Sequence, residues 1–238
     1  MTSGKENVDS LEAFLEASAA IVPRSLQQEV YQRLRQLIFD RGLDVEPLKI
    51  RQLAEGFEVS PMPVREALRR LQADGLVTFT RNRSIIVPRL SPGEIEDIFE
   101  VRLRLEPFAG RRAAARITAE GLDELEALCA KLEDFSDGDK WRAHNARFHK
   151  VIVEACGISR LVPIIDNLWL AVEPYRRYYI HNRRLLTTAQ AQHREIIRSL
   201  REEDGYKVER ILEEHLTSTL EAILTGMSEV GSATEKES

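Results

Sequence analysis

Three histidines, His149, His193 and His215, are of a type and spacing that could hold one metal ion between them. His149 lies four residues after Asn145, so the two side chains share one face of a helix. His193 sits in the run Gln190-Ala-Gln-His-Arg-Glu-Ile-Ile and His215 in Leu212-Glu-Glu-His-Leu, each beside apolar positions of a separate helical pattern. Facing helices of a bundle can bring such residues together. Three neutral imidazoles at ~2.0–2.1 Å suit Zn and leave a coordination position open for another ligand. Histidines hydrogen-bonded in a core would show the same spacing, and the spacing does not choose between the two. A metallohydrolase would also need a general base beside the ion. No H-E-x-x-H spacing supplies one, so an enzyme is not expected.

A second group consists of arginines near the start of the chain: Arg51, Arg65, Arg69, Arg70, Arg81 and Arg83. Net charge is −5. From Arg24 to Leu90, however, twelve Lys/Arg face eight Asp/Glu, a balance of +4 that leaves −9 for the remainder. A basic module joined to an acidic one is the asymmetry expected when one domain meets phosphate.

The elements that must position the arginines read as three helices and a hairpin. Leu26–Arg41 carries Val30, Leu34, Leu37 and Ile38 at helical spacing and stops at Gly42. Ile50–Gly56 reads as a short second helix. Met62–Asp74 reads as a third, with Val64, Ala67, Leu68 and Leu71 on one face. Ser60 is placed to cap it, Pro61 and Pro63 fall in its first turn, and Gly75 ends it. Leu76–Thr80 and Ser84–Val87 then switch to extended residue types around Arg81-Asn82-Arg83, a β-hairpin with a basic tip. This order is a winged helix-turn-helix, which inserts its recognition helix N-terminus first into the major groove. The leading edge is Ser60, Met62, Pro63 and Arg65. Arg65 is placed to fork onto guanine or clamp a phosphate. Arg51 is placed to reach backbone or a base edge, Arg69 and Arg70 to touch phosphate, and Arg81, Asn82 and Arg83 to reach the minor groove or its rim.

Beyond a linker at Pro88–Pro92 the pattern is helical throughout. The expected helices are Glu94–Arg116, Ala119–Phe135, Asp139–Ala155, Ser159–Arg184, Thr188–Glu203 and Gly205–Leu224, which together suggest an antiparallel bundle. Tyr175, Tyr178, Tyr179 and Trp169 read as core aromatics or as pocket lining. The expected organisation is a flexible arm at 1–22, a DNA-binding domain at 23–90, an all-α ligand-binding and dimerisation domain at 91–225 and a flexible tail at 226–238. No run of ~18 apolar residues suggests a membrane span, and no secretory signal is seen. Cys129 and Cys156 lie far apart and suit free thiols in a cytoplasmic protein.

The run from Val59 to Val77, Val-Ser-Pro-Met-Pro-Val-Arg-Glu-Ala-Leu-Arg-Arg-Leu-Gln-Ala-Asp-Gly-Leu-Val, resembles the signature of GntR-type bacterial regulators, with the likeness extending over Leu26–Val87. The resemblance places the family's DNA-contacting arginines on Arg51 and Arg65. It departs at Pro61, where the family has Arg, at Met62, where it has Thr, and at Asn82, where it has the wing glycine. A typical family half-site is therefore not implied. From Pro92 to Leu224 the chain resembles the FadR-type ligand-binding domain called FCD, through Glu100-Val-Arg-Leu-Arg-Leu-Glu106, Asn145-x-x-Phe148-His149, His193-Arg-Glu-Ile and His215. This resemblance implies a divalent metal, Zn first with Ni or Mn as alternatives, on Asn145, His149, His193 and His215. Asn145 stands where Asp is frequent. It also implies that Arg102 faces a cavity for a carboxylate effector; the alternative for Arg102 is an exposed ion pair with Glu106. The function implied is a homodimeric, ligand-responsive regulator of transcription that binds operator DNA and is released by a small organic acid.

Overall fold

The computed structural model describes residues 26–41, 47–80, 84–178 and 182–234. The chain divides at Val87–Pro88 into two compact units.

In the first unit, α1 (Leu26–Arg41), α2 (Ile50–Gly56) and α3 (Pro61–Ala73) surround a core of Val30, Leu34, Ile38, Ala54, Val64, Ala67, Leu68 and Leu71. Ser60 holds the N-cap backbone conformation of α3, but its side chain makes no capping hydrogen bond. Its usual acceptor role needs the N–H of the second or third helical residue, and the third is Pro63. At the other end Gly75 takes φ +75°. The N–H of Leu76 reaches the Leu71 carbonyl and that of Gly75 the Gln72 carbonyl. This left-handed cap, natural for glycine, turns the chain into β1 (Thr78–Phe79), which pairs antiparallel with β2 (Ile85–Ile86) in the register Thr78–Ile86 and Phe79–Ile85. Leu48 bridges Ile85 on the other side of β2, through bonds of 2.8 and 2.9 Å, a pairing not expected from the sequence. The wing tip, Arg81, Asn82 and Arg83, lies outside the described residues.

The second unit is helical: α4 (Pro92–Ala114), α5 (Ala119–Lys131), α6 (Gly138–Ala155), α7 (Leu161–Val172), a 3-10 segment (Glu173–Tyr178), α8 (Arg183–Arg201) and α9 (Gly205–Thr234). Ser91 and Glu94 form a capping box at the start of α4, and the Leu90 N–H donates to the Tyr175 hydroxyl. Most of the stretch read as a linker is thus tied to the helical unit. The longest shared face is that of α4 with α9. It is close because Gly110 has no side chain: a Cβ there would lie 2.2 Å from Leu212 Cδ1 and 3.0 Å from Val208 Cγ1. Phe99, Phe148, Ile95, Leu125, Ile152 and Ile165 fill the interior.

Helix boundaries differ from the sequence reading at α5, which ends at Lys131 rather than Phe135, and at three further places. The single helix expected over Ser159–Arg184 is broken: α7 ends at Val172 and a 3-10 segment follows. Pro174 has no N–H to donate, and its ring clashes with the carbonyl four residues earlier. Next, α8 begins at Arg183 rather than Thr188, because the Asn182 side chain accepts from the Leu185 N–H as an N-cap. Finally, α9 continues past Leu224 to Thr234. The small residues there weaken the amphipathic pattern without containing a proline; Gly226 packs its bare backbone against Tyr178.

Candidate nucleic-acid interface and metal centre

On the first unit, Ser60, Met62 and Arg65 are exposed and Pro63 partly so, all around the first turn of α3. Met62 is 65% exposed, an unusual position for a large apolar side chain. Met62, Arg65 and Arg69 follow helical spacing along one face. Arg65 makes no ion pair with another described residue. Arg51 and Arg69 make exposed pairs with Glu55 and Glu66, each at 2.8 Å, contacts weak enough to exchange for phosphate. Arg70 differs. It donates to Gln28 at 2.7 Å and stacks 4.3 Å over the Tyr31 ring. Tyr31 donates in turn to Asp74, and burial followed by that carboxylate pushes its hydroxyl up to about 12. Arg70 therefore ties α3 to α1, and its placement matches a structural brace.

In the second unit the three histidines converge. His149 comes from α6, His193 from α8 and His215 from α9, and one nitrogen of each lies within 4.8 Å of the others. The ring centroids form a nearly equilateral triangle of 5.4, 5.0 and 5.1 Å. All three are buried, as is Asn145 one turn before His149. Burial pushes His149 and His193 well below the usual histidine range; the neighbouring imidazoles add to this, and for His149 so do Arg176 and Arg102. Burial, then Arg102 and Arg176, push His215 down to about 4. Near neutral pH the cluster is three uncharged imidazoles offering lone pairs.

Two buried atoms at this cluster lack a hydrogen-bond partner, Asn145 Oδ1 and His193 Nε2. Buried polar atoms are rarely left so. A divalent cation satisfies a nitrogen lone pair and an amide oxygen at once, so the residues present fit a metal.

A cavity of about 10 Å³, the size of one water or ion, adjoins the cluster. It is lined by Arg102, Asn145, His149, Arg176 and His215 among others. Arg102 pairs with Glu106 at 2.6 Å, as one sequence reading had it, but the pair is buried rather than exposed and the guanidinium also faces this cavity. Arg176 pairs with Glu173 at 3.2 Å. Asn145, His215 and Thr219 also form part of the wall of a much larger cavity of about 400 Å³, lined by Trp141, Tyr178, Leu186, Gln192 and Ser218 among others. Tyr178 lines this cavity, whereas Tyr175 is buried core and Trp169 packs against Ala109, Val153 and Ile165. Tyr179 lies outside the described residues.

The sequence reading missed Arg176, hidden in an aromatic run taken as a stripe, and the two glutamines on α8. Gln190 lies 3.3 Å from His193 Nδ1 and Gln192 lies 2.9 Å from His215 Nδ1. The Gln190–His193 spacing of three was visible in the sequence. The contact of Gln192 with a histidine on another helix was not.

Residues 97–218, just over half of the chain, match the FCD domain, and residues 26–87 match the bacterial regulatory proteins of the gntR family. The chain is 39% identical over 131 residues, covering 52% of it, to an HTH-type transcriptional regulator from the ttuE–ttuC′ intergenic region of Agrobacterium vitis, 73% of which is matched. It is 28% identical over 198 residues, 77% of its length and 88% of the relative, to the transcriptional repressor GlaR of Escherichia coli. Among solved structures, E. coli McbR/YncC shares the fold with a TM-score of 0.75 at 24% identity, over 85% of this chain and 99% of that one. A metal-free FCD domain of TM0439 matches with a TM-score of 0.52 at 18% identity, over 59% of this chain and 99% of that one. The relatives are named as transcriptional regulators, a family that is not enzymatic. No helix among the described residues is long and apolar enough to cross a membrane. The buried histidine cluster and the arginine-edged recognition helix thus sit in the two modules that define the group: the chain belongs to the GntR family of bacterial transcriptional regulators, in the FadR subfamily that carries an FCD domain.

Proposed function

We propose that this regulator is a cytoplasmic homodimeric repressor whose hold on operator DNA is released by a small carboxylate held at a divalent metal, zinc first, with nickel or manganese as alternatives. The observation that carries this reading is the set of four uncharged donors, Asn145, His149, His193 and His215, beside two buried arginines.

The metal, when bound, would supply a Lewis-acidic cation with positions open to an anion. Four neutral donors cancel none of its charge, so the requirement for a negatively charged ligand is strong. Arg102 gives one of its donors to Glu106. The rest of its planar fork suits bidentate capture of a carboxylate. The 400 Å³ cavity gives room for the body of such an acid. Its wall combines Trp141 and Leu186 with the hydroxyls of Ser218 and Thr219.

On the DNA side, Ser60, Met62, Pro63 and Arg65 lead α3 into the major groove. Arg65 reads a base or clamps phosphate. Met62 offers apolar contact of the kind thymine methyl groups accept. Arg51 and Arg69 contact the backbone, and Arg81, Asn82 and Arg83 reach from the wing. Two copies joined through the helical domains would address a pseudo-palindromic site. The effector acts by binding the free arrangement more tightly than the DNA-bound one.

The test is fluorescence anisotropy of a labelled operator fragment from the regulator's own promoter, titrated with metal-loaded protein and then with a panel of carboxylates. One carboxylate should release the DNA from the wild type and fail on Arg102→Ala. Release by an uncharged compound alone, or release untouched by Arg102→Ala and by metal removal, would contradict the proposal.

A further inference from the structure

We propose that Gln190 is a positioning residue for the metal centre: it fixes which nitrogen of His193 carries the proton and so aims a bare Nε2 lone pair at the cluster. The inference rests on the metal reading above but makes a separate claim about the protein before any ion binds.

The argument follows from donor and acceptor identities. Gln190 is buried on α8. Its amide lies 2.6 Å from the backbone carbonyl of Cys129, in the last turn of α5. That carbonyl lacks the usual helical donor, because the N–H of Glu133 goes to Ala130 instead. A carbonyl only accepts, so the Gln190 nitrogen must be the atom facing it. This settles the amide orientation, which heavy-atom positions alone leave ambiguous. The Gln190 oxygen then faces His193 Nδ1 at 3.3 Å. An amide oxygen also only accepts, so Nδ1 must be protonated. A neutral imidazole has one N–H, so Nε2 is unprotonated. That atom is buried without a partner, in a ring of which one nitrogen lies within 4.8 Å of a nitrogen of each of the other two histidines. The Gln192 amide likewise contacts a histidine, lying 2.9 Å from His215 Nδ1. Two of the three rings are therefore held by glutamines of one helix.

A merely structural Gln190 would brace the end of α5 and leave the tautomer of His193 free. The two roles separate in ¹⁵N-labelled, metal-stripped, full-length protein, in which long-range proton–nitrogen correlations of the imidazoles report each tautomer. His193 is assigned by loss of its signals in His193→Gln. In the wild type His193 should be the Nδ1–H form. In Gln190→Leu it should become mixed or Nε2–H, and zinc affinity by chelator competition should fall ~10–100-fold, the usual effect of losing a residue that orients a ligand. Gln190→Glu keeps an acceptor for Nδ1–H while abandoning the Cys129 carbonyl, so it should keep the wild-type tautomer. An Nε2–H form in the wild type overturns the proposal. So does Gln190→Leu with tautomer and zinc affinity unchanged. If the wild type binds no zinc, the metal reading fails by itself, and the tautomer of the two variants still decides the role of Gln190.

Discussion

Acid should unfold the metal-stripped helical unit in a window set by its histidines. In the unfolded chain each would titrate near 6.5. In the folded unit His215 is pushed down to about 4, and His149 and His193 lie well below the usual range, with burial the largest cause in each case. The sign follows from proton counting: above about pH 6.5 neither state binds these protons, so stability is at its full value. Below it the unfolded chain binds protons that the folded one refuses, so stability falls as pH falls. For His215 the loss accumulates to about 3 kcal/mol between pH 6.5 and 4. With all three histidines refusing protons, the slope should approach ~4 kcal/mol per pH unit near pH 5. A metal binds the same lone pairs as the proton, so it should add protection at neutral pH and be lost on acidification. Urea unfolding with excess chelator, between pH 8 and 4.5, is the assay. Both tryptophans, Trp141 and Trp169, lie in the helical unit, so their fluorescence reports that unit alone. His149→Gln should remove about a third of the slope. A stability that is flat from pH 7 to 5, or a slope unchanged in His149→Gln, would refute the reasoning.

Two further outcomes are expected. Gly110→Ala places a methyl 2.2 Å from Leu212 Cδ1 and should destabilise the helical unit by ~1–3 kcal/mol through overpacking, read as a lowered midpoint in the same urea titration. Arg65→Ala should weaken operator binding by ~1–3 kcal/mol if Arg65 reads a base, with little change on unrelated DNA. Equal weakening on both would assign Arg65 to phosphate.

Much of this fold was legible because its punctuation is local. Gly75 marks the end of α3 and the start of the hairpin, since the left-handed cap costs glycine little. The bounds of α1 follow from apolar spacing and the stop at Gly42. The break after Val172 was equally local, carried by Pro174, but it was masked by a long amphipathic pattern on either side. Leu48 could not be placed in advance: a single residue pairing with β2 has no periodicity to read. At the metal centre, the helix and face of each histidine were readable from neighbouring apolar positions. Their meeting was expected only from the family resemblance, because spacing within helices says nothing about which helices face each other. Arg102 shows the same limit. Its i,i+4 pairing with Glu106 was correct, but the pair is buried, which spacing along one helix does not reveal. The contacts of Gln190 with His193 and of Gln192 with His215 show it too, since the second runs between two helices.

The most direct test of the central claim is metal content. The purified wild-type chain, prepared without added metal or chelator, is compared by elemental mass spectrometry with a His149→Ala, His193→Ala double variant, before and after soaking with zinc and nickel. Near-stoichiometric metal in the wild type and none in the variant is the predicted result. A wild type that stays empty after soaking would contradict the metal centre, leaving the buried histidines as core residues or direct contacts to the effector.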